Sequence, residues 1–317
     1  QHTKHQLRRQ RRQHHAAASG QRTAQLQQRI DAIDIDALIA TGNLEEYIVD
    51  DLHTPFPLVA TTERPDRFTA GVVEGRVGIL VDGLPLGWLV PGTISQFFKT
   101  PQDKAQSWMV ASMLTVLRYL CMLTTLFLPA LYIAAVTFHP EMLPTKLTLS
   151  IIAAKQDVPF TSIFEVLILL IAFEIIQEAG LRLPGSIGQT VSILGGLVVG
   201  SAAVEARIVS PAVLIVVAIA GIAGYTMPSQ DLAGALRLWR FLLALCASVG
   251  GLFGIAAGAA ALVFHLAGIE SFGVAYLTPF AANAGEQVEG RTVLRQPLPK
   301  AKLREAALKI RNRRNQK

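Results

Sequence analysis

The stretch that decides the fold is FTSIFEVLILLIAFEIIQEAGLRLPGSIGQTVSILGGLVVG, Phe160–Gly200. It begins as an apolar helix pattern that carries three carboxylates, at Glu165, Glu174 and Glu178. An acidic residue at the centre of a membrane helix costs about 2.5–3.5 kcal/mol on insertion scales, so such residues usually face protein or water rather than lipid. Glu174 and Glu178 are four residues apart and share one helix face, whereas Glu165 falls on the opposite face.

The apolar pattern of this stretch breaks at Gly180 and at Pro184-Gly185, and then resumes as a small-residue helix. Two interpretations follow. The acidic helix either lies at the membrane interface or against a soluble domain, or it lines a water-filled path through the bilayer. A discontinuous helix with acidic residues fits both.

Around this stretch the composition is that of a membrane protein. Of 317 residues, 51% are hydrophobic and only 16% are charged, and the apolar residues come in long blocks. Long apolar blocks with few charges are typical of membrane-spanning helices. We predict a mainly α-helical polytopic membrane protein with a small N-terminal α+β cytoplasmic domain.

Basic residues are concentrated at the two ends of the chain. Of 29 Lys and Arg, five lie in Gln1–Arg12 and ten in Arg291–Lys317, against seven between Ala105 and Gly290. The net charge of +6 therefore belongs to the ends. Under the positive-inside rule this predicts that both termini are cytoplasmic, beside membrane lipid, and it gives no support to a nucleic-acid partner.

The chain divides by composition into four predicted parts. They are a basic disordered tail (1–23), a soluble α+β domain (24–104), a membrane domain (105–284) and a basic C-terminal tail that is partly an amphipathic helix (285–317). The first residue is Gln rather than Met, so we expect the chain to lack an upstream portion.

Local signals in the soluble part predict one helix and one hairpin. Pro65–Glu74 reads as a helix that ends at Gly75, since glycine favours the position after a helix. Arg76–Val81 and Leu84–Val90 flank Asp82-Gly83, which is the strongest short signal for a β-hairpin.

Two further helix starts are predicted from capping residues. Asn43 is expected to cap a short helix through Leu44–Val49. Thr100, followed by Pro101, is expected to cap a helix that runs into the first membrane segment, Trp108–Phe138.

Four membrane spans are predicted, with the acidic helix counted as re-entrant or interfacial. The spans are Trp108–Phe138, Ser186–Val204, Ile208–Met227 and Leu238–Leu266. Five spans would place the basic tail opposite the N-terminal domain, which the positive-inside rule disfavours. A sixth segment, Gly268–Ala282, contains Glu270 and Pro279 and makes a poor span.

Glycines spaced by four recur in two of these spans, at Gly196 and Gly200 and at Gly250, Gly254 and Gly258. Small residues at that spacing let helix backbones approach closely. We predict that they serve helix packing or oligomerisation.

The C-terminal stretch Ala301–Arg314 has the pattern of a basic amphipathic helix that can lie on an anionic leaflet. The residues assigned to the membrane surface are Lys302, Arg304, Lys309 and Arg311. A solvated tail is the alternative.

No sequence signature of catalysis is present. The chain has no P-loop, GxSxG, HExxH or CxxC motif, and no pairing of a nucleophile with a base emerges. We therefore predict no enzyme activity, no catalytic residue, no metal site and no cofactor.

Long motifs in order carry a resemblance over about Ile30–Pro299. They are PFPLVATTERPDRF (Pro55–Phe68), EGRVGILVDGLPLGWLVPGTISQFF (Glu74–Phe98), LPALYIAAVTFHPEMLPTKL (Leu128–Leu147), FEIIQEAGLRLPGSIGQTVSILGGLVVG (Phe173–Gly200), IVSPAVLIVVA (Ile208–Ala218) and HLAGIESFGVAYLTPFA (His265–Ala281). With these motifs the sequence resembles the A subunit of the GerA-type nutrient germination receptors of endospore-forming bacteria, a family that also includes the SpoVAF protein. Family members usually carry a further soluble subdomain upstream.

The resemblance implies a subunit of the spore inner membrane that works beside a transporter-like B subunit and a lipoprotein C subunit. It also implies that A subunits form a homo-oligomeric ring, proposed to be a pentamer, that opens as a ligand-gated cation channel. It leaves open whether this chain is a germinant receptor subunit or a SpoVAF-like paralogue.

Our hypothesis for the ion path is that Glu174 and Glu178, with the break at Pro184 and Gly185, line or brace it, since carboxylate rings favour cations. Interhelical or soluble-domain contacts are the alternative role for these carboxylates. Two other functions stay open: a secondary transporter subunit and a non-conducting scaffold that clusters receptors.

Overall fold

The structure, a computed structural model, describes residues 20–34, 41–182, 196, 198–280, 294, 295, 297 and 308. These residues divide into two compact units, one drawn from Gln1–Leu117 and Phe264–Lys317 and the other from Arg118–Val263. We call the first the sheet unit and the second the helical unit, and each is described by itself.

The sheet unit combines short helices with short strands. Its elements are α1 (20–31), α2 (Thr41–Ile48), β1 (Ala60–Thr62), α3 (Pro65–Glu74), β2 (Val77–Leu80), β3 (Gly87–Val90), α4 (Ile94–Phe97), α5 (Pro101–Ala105), β4 (Glu270–Ser271) and β5 (Val274–Ala275).

The strands β1, β2 and β3 form an antiparallel sheet in the order β1-β3-β2. The predicted hairpin is confirmed, with Ile79 of β2 opposite Trp88 of β3. Its turn has Gly83 at φ 86°, a left-handed conformation that glycine adopts without strain. Trp88 is fully buried in the core of this unit.

Local capping signals act as predicted at α3 and α5. α3 has the expected bounds, and Gly75 follows it at φ 101° with its N–H bonded to the Val72 carbonyl. Thr100 and Asp103 form a reciprocal capping box at the start of α5. These ends depend on neighbouring residues alone, which is why the sequence predicts them.

Two predicted helix boundaries are wrong. α2 begins at Thr41, so Asn43 lies inside its first turn rather than at its cap. α5 ends at Ala105 and does not run into the membrane helix, because Gln106 is extended at φ −86° and ψ 170°. The Arg295 guanidinium donates to the carbonyls of Asp103, Lys104 and Gln106 and satisfies the groups freed by this break.

The chain after the last helix returns to the sheet unit. Ser271, on β4, donates to the Leu58 carbonyl at 3.0 Å and accepts from the Gly92 N–H at 3.2 Å. The Phe272 N–H donates to Asp50 at 2.5 Å, and Phe272 packs in the same core as Trp88. Residues up to 280 thus pack with the N-terminal elements, whereas the sequence assigned them to the membrane domain.

The helical unit consists of helices joined by short connections. Its elements are α6 (Trp108–Thr137), a 3₁₀ turn (Pro140–Met142), α7 (Thr145–Lys155), α8 (Ser162–Arg182), α9 (198–205 in its described part), α10 (Pro211–Gly224) and α11 (Gln230–Gly268). The start of α6, up to Leu117, and the end of α11, from Phe264, are counted in the sheet unit.

Among the described residues, two helices, α6 and α11, are long and apolar enough to cross a membrane. Large apolar side chains on α11 point outward, and Val249 and Phe253 are 83% and 82% exposed. Such exposure suits contact with lipid rather than water. The predicted first span is thus confirmed as a helix, and the total number of spans stays a prediction.

α10 is shorter than the predicted span Ile208–Met227. It has 14 residues, because Pro211 occupies its first turn and a turn follows Gly224. It contacts neighbours closely: the Thr125 hydroxyl of α6 donates to the Ala220 carbonyl at 3.1 Å.

α11 is two helical arms rather than the single long span predicted for Leu238–Leu266. The backbone reverses at Gly251, where φ is 55° and ψ is −133°. A Cβ built on Gly258 would lie 2.8 Å from Leu243 Cδ2, whereas a straight helix separates residues 15 apart by about 22 Å. Gly251 adopts the positive φ that other residues avoid, and Gly254 lets the second arm lie against the backbone of Cys246.

Candidate functional site

α8 is the helix that concentrates acidic groups inside the apolar helical unit. Over 21 residues it carries Glu165, Glu174 and Glu178. At about 1.5 Å per residue it is about 31 Å long, close to the thickness of a bilayer's hydrocarbon core. The opposite faces predicted for Glu165 and Glu174 contact different helices.

Glu165 is fully buried, at 0% exposure. Its Oε2 accepts the Ser210 N–H at 2.7 Å, and Lys155 Nζ lies 3.1 Å from Oε1 in an ion pair. Ser210 is the residue before α10, so the carboxylate lies at the positive end of that helix. Lys155 is the last residue of α7, so Glu165 joins α7, α8 and α10.

Glu174 is held by two arginines of α11. Arg237 Nη1 lies 2.5 Å from Oε1, and Arg240 Nη2 lies 3.2 Å from Oε2. The Arg240 side chain is only 3% exposed, so its charge is removed from solvent and depends on this carboxylate. Two guanidinium groups against one carboxylate leave this cluster with one excess positive charge.

Of the other residues predicted for the ion path, the structure describes Glu178. Glu178 lies one turn beyond Glu174 and is exposed. Pro184 and Gly185 lie outside the described residues. Glu174 makes the interhelical contact that was its alternative role, and the assignment of these residues to an ion path stays a prediction.

Sequence reasoning missed the basic partners of the carboxylates. Arg237 and Arg240 are the two basic residues within Ile208–Phe264, an otherwise apolar region. Charged residues in such a region need partners, so their presence was a signal for pairing with an acidic helix. Which helix supplies the partner depends on packing and could not be read from spacing.

The glycines predicted for packing mostly face neighbours within the chain. A Cβ on Gly196 would lie 3.7 Å from Phe173, and one on Gly200 would lie 2.8 Å from Leu214. Gly254 and Gly258 face the opposite arm of α11, whereas a Cβ on Gly250 would meet nothing within 4 Å. Their role in oligomerisation stays a prediction.

The remaining predictions concern the residues at the membrane surface and the absence of a metal site. Lys302, Arg304, Lys309 and Arg311 lie outside the described residues. In the part of the chain that the structure describes, no group of three or more His, Cys, Asp or Glu side chains could hold a metal ion.

Comparison with known proteins places the chain in a family. The family model described as Bacillus/Clostridium GerA spore germination protein matches residues 15–307. The chain is 43% identical over 261 residues to the uncharacterized membrane protein YfkQ of Bacillus subtilis (strain 168), covering 82% of this chain and 51% of the relative. It is 40% identical over 269 residues to spore germination protein B1 of the same organism, covering 85% and 56%.

Spore germination protein KA, also of Bacillus subtilis (strain 168), is 41% identical over 265 residues, covering 84% of this chain and 49% of the relative. The chain therefore spans about half the length of the curated relatives it matches. No solved structure matches it significantly.

Proposed function

The chain belongs to the GerA family of spore germination proteins, and on that premise we propose that it is an A subunit of a nutrient germinant receptor. In this role it oligomerises in the spore inner membrane as a ligand-gated cation channel that triggers germination. Its relatives include spore germination proteins B1 and KA, which supports a role in germination.

The observation that carries the channel proposal is the placement of α8. Two of its three carboxylates, Glu165 and Glu174, lie in the apolar helical unit and are held by charged partners. Acidic groups cost free energy in such an environment, so they usually serve assembly or an ion pathway. Carboxylates that line a pore favour cations.

In the proposed mechanism the described arrangement is the closed state. Arg237 and Arg240 neutralise Glu174 and add a positive charge that opposes cation entry. Opening separates α8 from α11, and the freed carboxylate then faces the path. Germinant binding at a partner subunit supplies the free energy for this separation.

The assembly that we propose follows from the same premise. Copies of the chain form a ring of five, beside a transporter-like B subunit and a lipoprotein C subunit. The sheet unit is a soluble α+β domain in the cytoplasm, where both termini also lie, and the basic C-terminal stretch rests on membrane lipid. The chain has no enzymatic role in this scheme.

The test measures oligomeric mass in detergent and conductance in planar bilayers on the same preparation. We expect a closed ring that passes cations, with lower cation selectivity after E174Q and E178Q together. Asp157→Asn is the matched control, because Asp157 is an exposed carboxylate paired with Arg207 at 2.9 Å. If the double variant assembles normally and keeps the same cation selectivity, the proposed role of α8 in the ion path is overturned.

One observation favours a second candidate function. α11 is a discontinuous helix, and broken membrane helices beside buried charges are typical of secondary transporters. A transporter subunit should bind solute as a monomer and show coupled flux without channel conductance. A ring that never conducts and binds no solute would instead indicate a scaffold that clusters receptors.

A further inference from the structure

The break between α5 and α6 is held by a residue far along the chain. α5 ends at Ala105 and α6 begins at Trp108, and Gln106 between them is extended, with φ −86° and ψ 170°. The guanidinium group of Arg295 donates hydrogen bonds to three backbone carbonyls of this break, those of Asp103, Lys104 and Gln106. One side chain therefore binds the end of α5 and the extended residue that follows it.

The same three carbonyls are the acceptors that a continuous helix would use. In an α-helix each N–H donates to the carbonyl four residues earlier. A helix that ran unbroken through this region would therefore bond these carbonyls to the N–H groups of Ser107, Trp108 and Val110. Arg295 and those N–H groups compete for one set of acceptors, so the two arrangements exclude each other.

The sequence around the break is compatible with a continuous helix. No glycine or proline lies between Gln102 and Leu128, and the residues at 104–106 are strong helix formers. The local signal for a new helix start is Ser107, whose Oγ accepts the Val110 N–H at 3.4 Å. The break thus depends on this cap and on the contacts of a distant residue.

Residue 295 contacts both sides of the break. Its guanidinium binds the α5 side, and its carbonyl accepts the Ser112 hydroxyl of α6 at 3.1 Å. Arg295 is half-buried, so its side chain can exchange these contacts for water. A guanidinium carries five N–H donors in a planar fork and can therefore bind several carbonyls at once.

The bent and the continuous arrangements contain similar numbers of hydrogen bonds. Straightening the junction breaks the three bonds from Arg295 and the cap from Ser107. It forms backbone bonds from the N–H groups at 107–110. Because losses and gains are matched, a modest change in the contacts of Arg295 is sufficient to shift the equilibrium between the two arrangements.

We propose that the junction between α5 and α6 is a two-state element: Arg295 holds the bent state, and its release gives one helix from Pro101 to Thr137. The release lengthens α6 by about 10 Å, at about 1.5 Å for each added residue. Movement of the segment that carries Arg295 thereby changes the direction of α5 relative to α6. The proposal goes beyond the channel function, because it concerns this junction alone and does not require that the chain conducts ions.

The test measures hydrogen exchange in the full chain in detergent, at the amides of Ser107 and Met109. These amides lie before or in the first turn of α6 and have no acceptor within it, so they are expected to exchange fast in the bent state. In Arg295→Ala the continuous helix bonds them, and we expect their exchange to slow at least about threefold. Arg64→Ala removes an exposed arginine of the same unit and is the matched control, in which both amides should be unchanged.

The sign of the change separates the proposal from a purely structural role. Removal of a residue that only stabilises the junction would loosen it and speed exchange. Faster or unchanged exchange in R295A therefore overturns the proposal. An R295A chain that fails to fold overturns it as well, because the freed carbonyls should find partners in the continuous helix.

A second variant, Trp108→Pro, excludes the continuous state and is compatible with the bent one. Proline is tolerated at the first position of α6, but it lacks the N–H that the Lys104 carbonyl would accept in a continuous helix. While Arg295 is present, the variant should change the thermal unfolding midpoint little, since the Trp108 side chain is 45% exposed. In R295A/W108P the slow exchange should disappear and the midpoint should fall well below that of R295A, because the freed carbonyls then lack partners.

An equal effect of W108P on the midpoint in the two backgrounds contradicts the two-state junction. Both readouts are independent of conductance, so failure of this proposal is distinguishable from failure of the channel proposal.

Discussion

The sheet unit and the helical unit satisfy their buried polar side chains in different ways. In the sheet unit they bind mainly backbone: Arg76 donates to the Pro91 carbonyl, and Ser271 bonds both Leu58 and Gly92. In the helical unit the most buried charges bind one another, as in the pairs Lys155–Glu165 and Arg240–Glu174.

The two units differ because their backbone N–H and C=O groups are not equally available to side chains. A helix bonds its own N–H and C=O groups internally, so a polar side chain between apolar helices finds partners mainly on other side chains or at helix ends. Short strands and loops leave backbone groups that side chains can bind. Single changes of buried charged side chains should therefore have their largest effects in the helical unit.

The largest effect is expected for Glu174→Ala. It leaves Arg240 buried without a counter-charge, which typically costs about 3–5 kcal/mol of unfolding free energy. The measurement is unfolding by SDS in mixed micelles, followed by circular dichroism. Asp66→Ala, which removes an exposed partner of Arg64, is the control and should change unfolding far less, since exposed ion pairs add little stability.

Replacing Glu174, Arg237 and Arg240 together by leucine sharpens this prediction. Most of the lost stability should return, because no uncompensated charge remains. A triple variant as unstable as E174A would show that packing, rather than charge, explains the loss.

The next largest effect is expected for Gly254→Ala, a change without charge. The added methyl group would meet the Cys246 backbone, which cannot rotate away, so we expect a loss of about 1–3 kcal/mol in the same assay. Gly250→Ala is the matched control, since its Cβ meets open space and should leave unfolding almost unchanged. If G250A disrupts an oligomer without altering unfolding, the predicted oligomer contact lies at Gly250.

In the sheet unit, Ser271→Ala should cost about 0.5–1.5 kcal/mol, because it removes the hydroxyl that bonds the Gly92 N–H and the Leu58 carbonyl, while the direct bond between those two backbone groups at 2.8 Å remains. Hydrogen exchange measured by mass spectrometry should show faster exchange in peptides that contain Gly92. Ser248→Ala is the control, since that exposed hydroxyl donates within its own helix. Unchanged exchange in S271A would contradict the predicted role of the return segment.

The smallest effect is expected for Thr125→Val, which preserves shape and removes the bond to Ala220. Hydrogen bonds between membrane helices average about 0.6 kcal/mol, so the shift should be near that value in the SDS assay. Thr124→Val removes a bond within α6 and should have less effect. Equal effects of the two variants would show that the hydrogen bond between α6 and α10 does not contribute to the free energy of unfolding.

The sequence predicted elements whose ends depend on adjacent residues. The Asp82-Gly83 hairpin, the bounds of α3 and the Thr100 cap all depend on contacts within a few residues. The pairing of β1 with β3 was missed, because Ala60–Thr62 acquires its partner from a distant strand. The same reason explains the unpredicted return of Ser271 to Leu58, far apart in sequence.

For the candidate site, the sequence alone determined that carboxylates recur on one apolar helix and which of them share a face. These properties depend on residue type and on the fixed period of a helix. Only the tertiary structure decided that Glu165 meets Lys155, that Glu174 meets two arginines and that α11 reverses at Gly251. Charge pairing and close backbone contact depend on distances between helices, and helical periodicity places no limit on those distances.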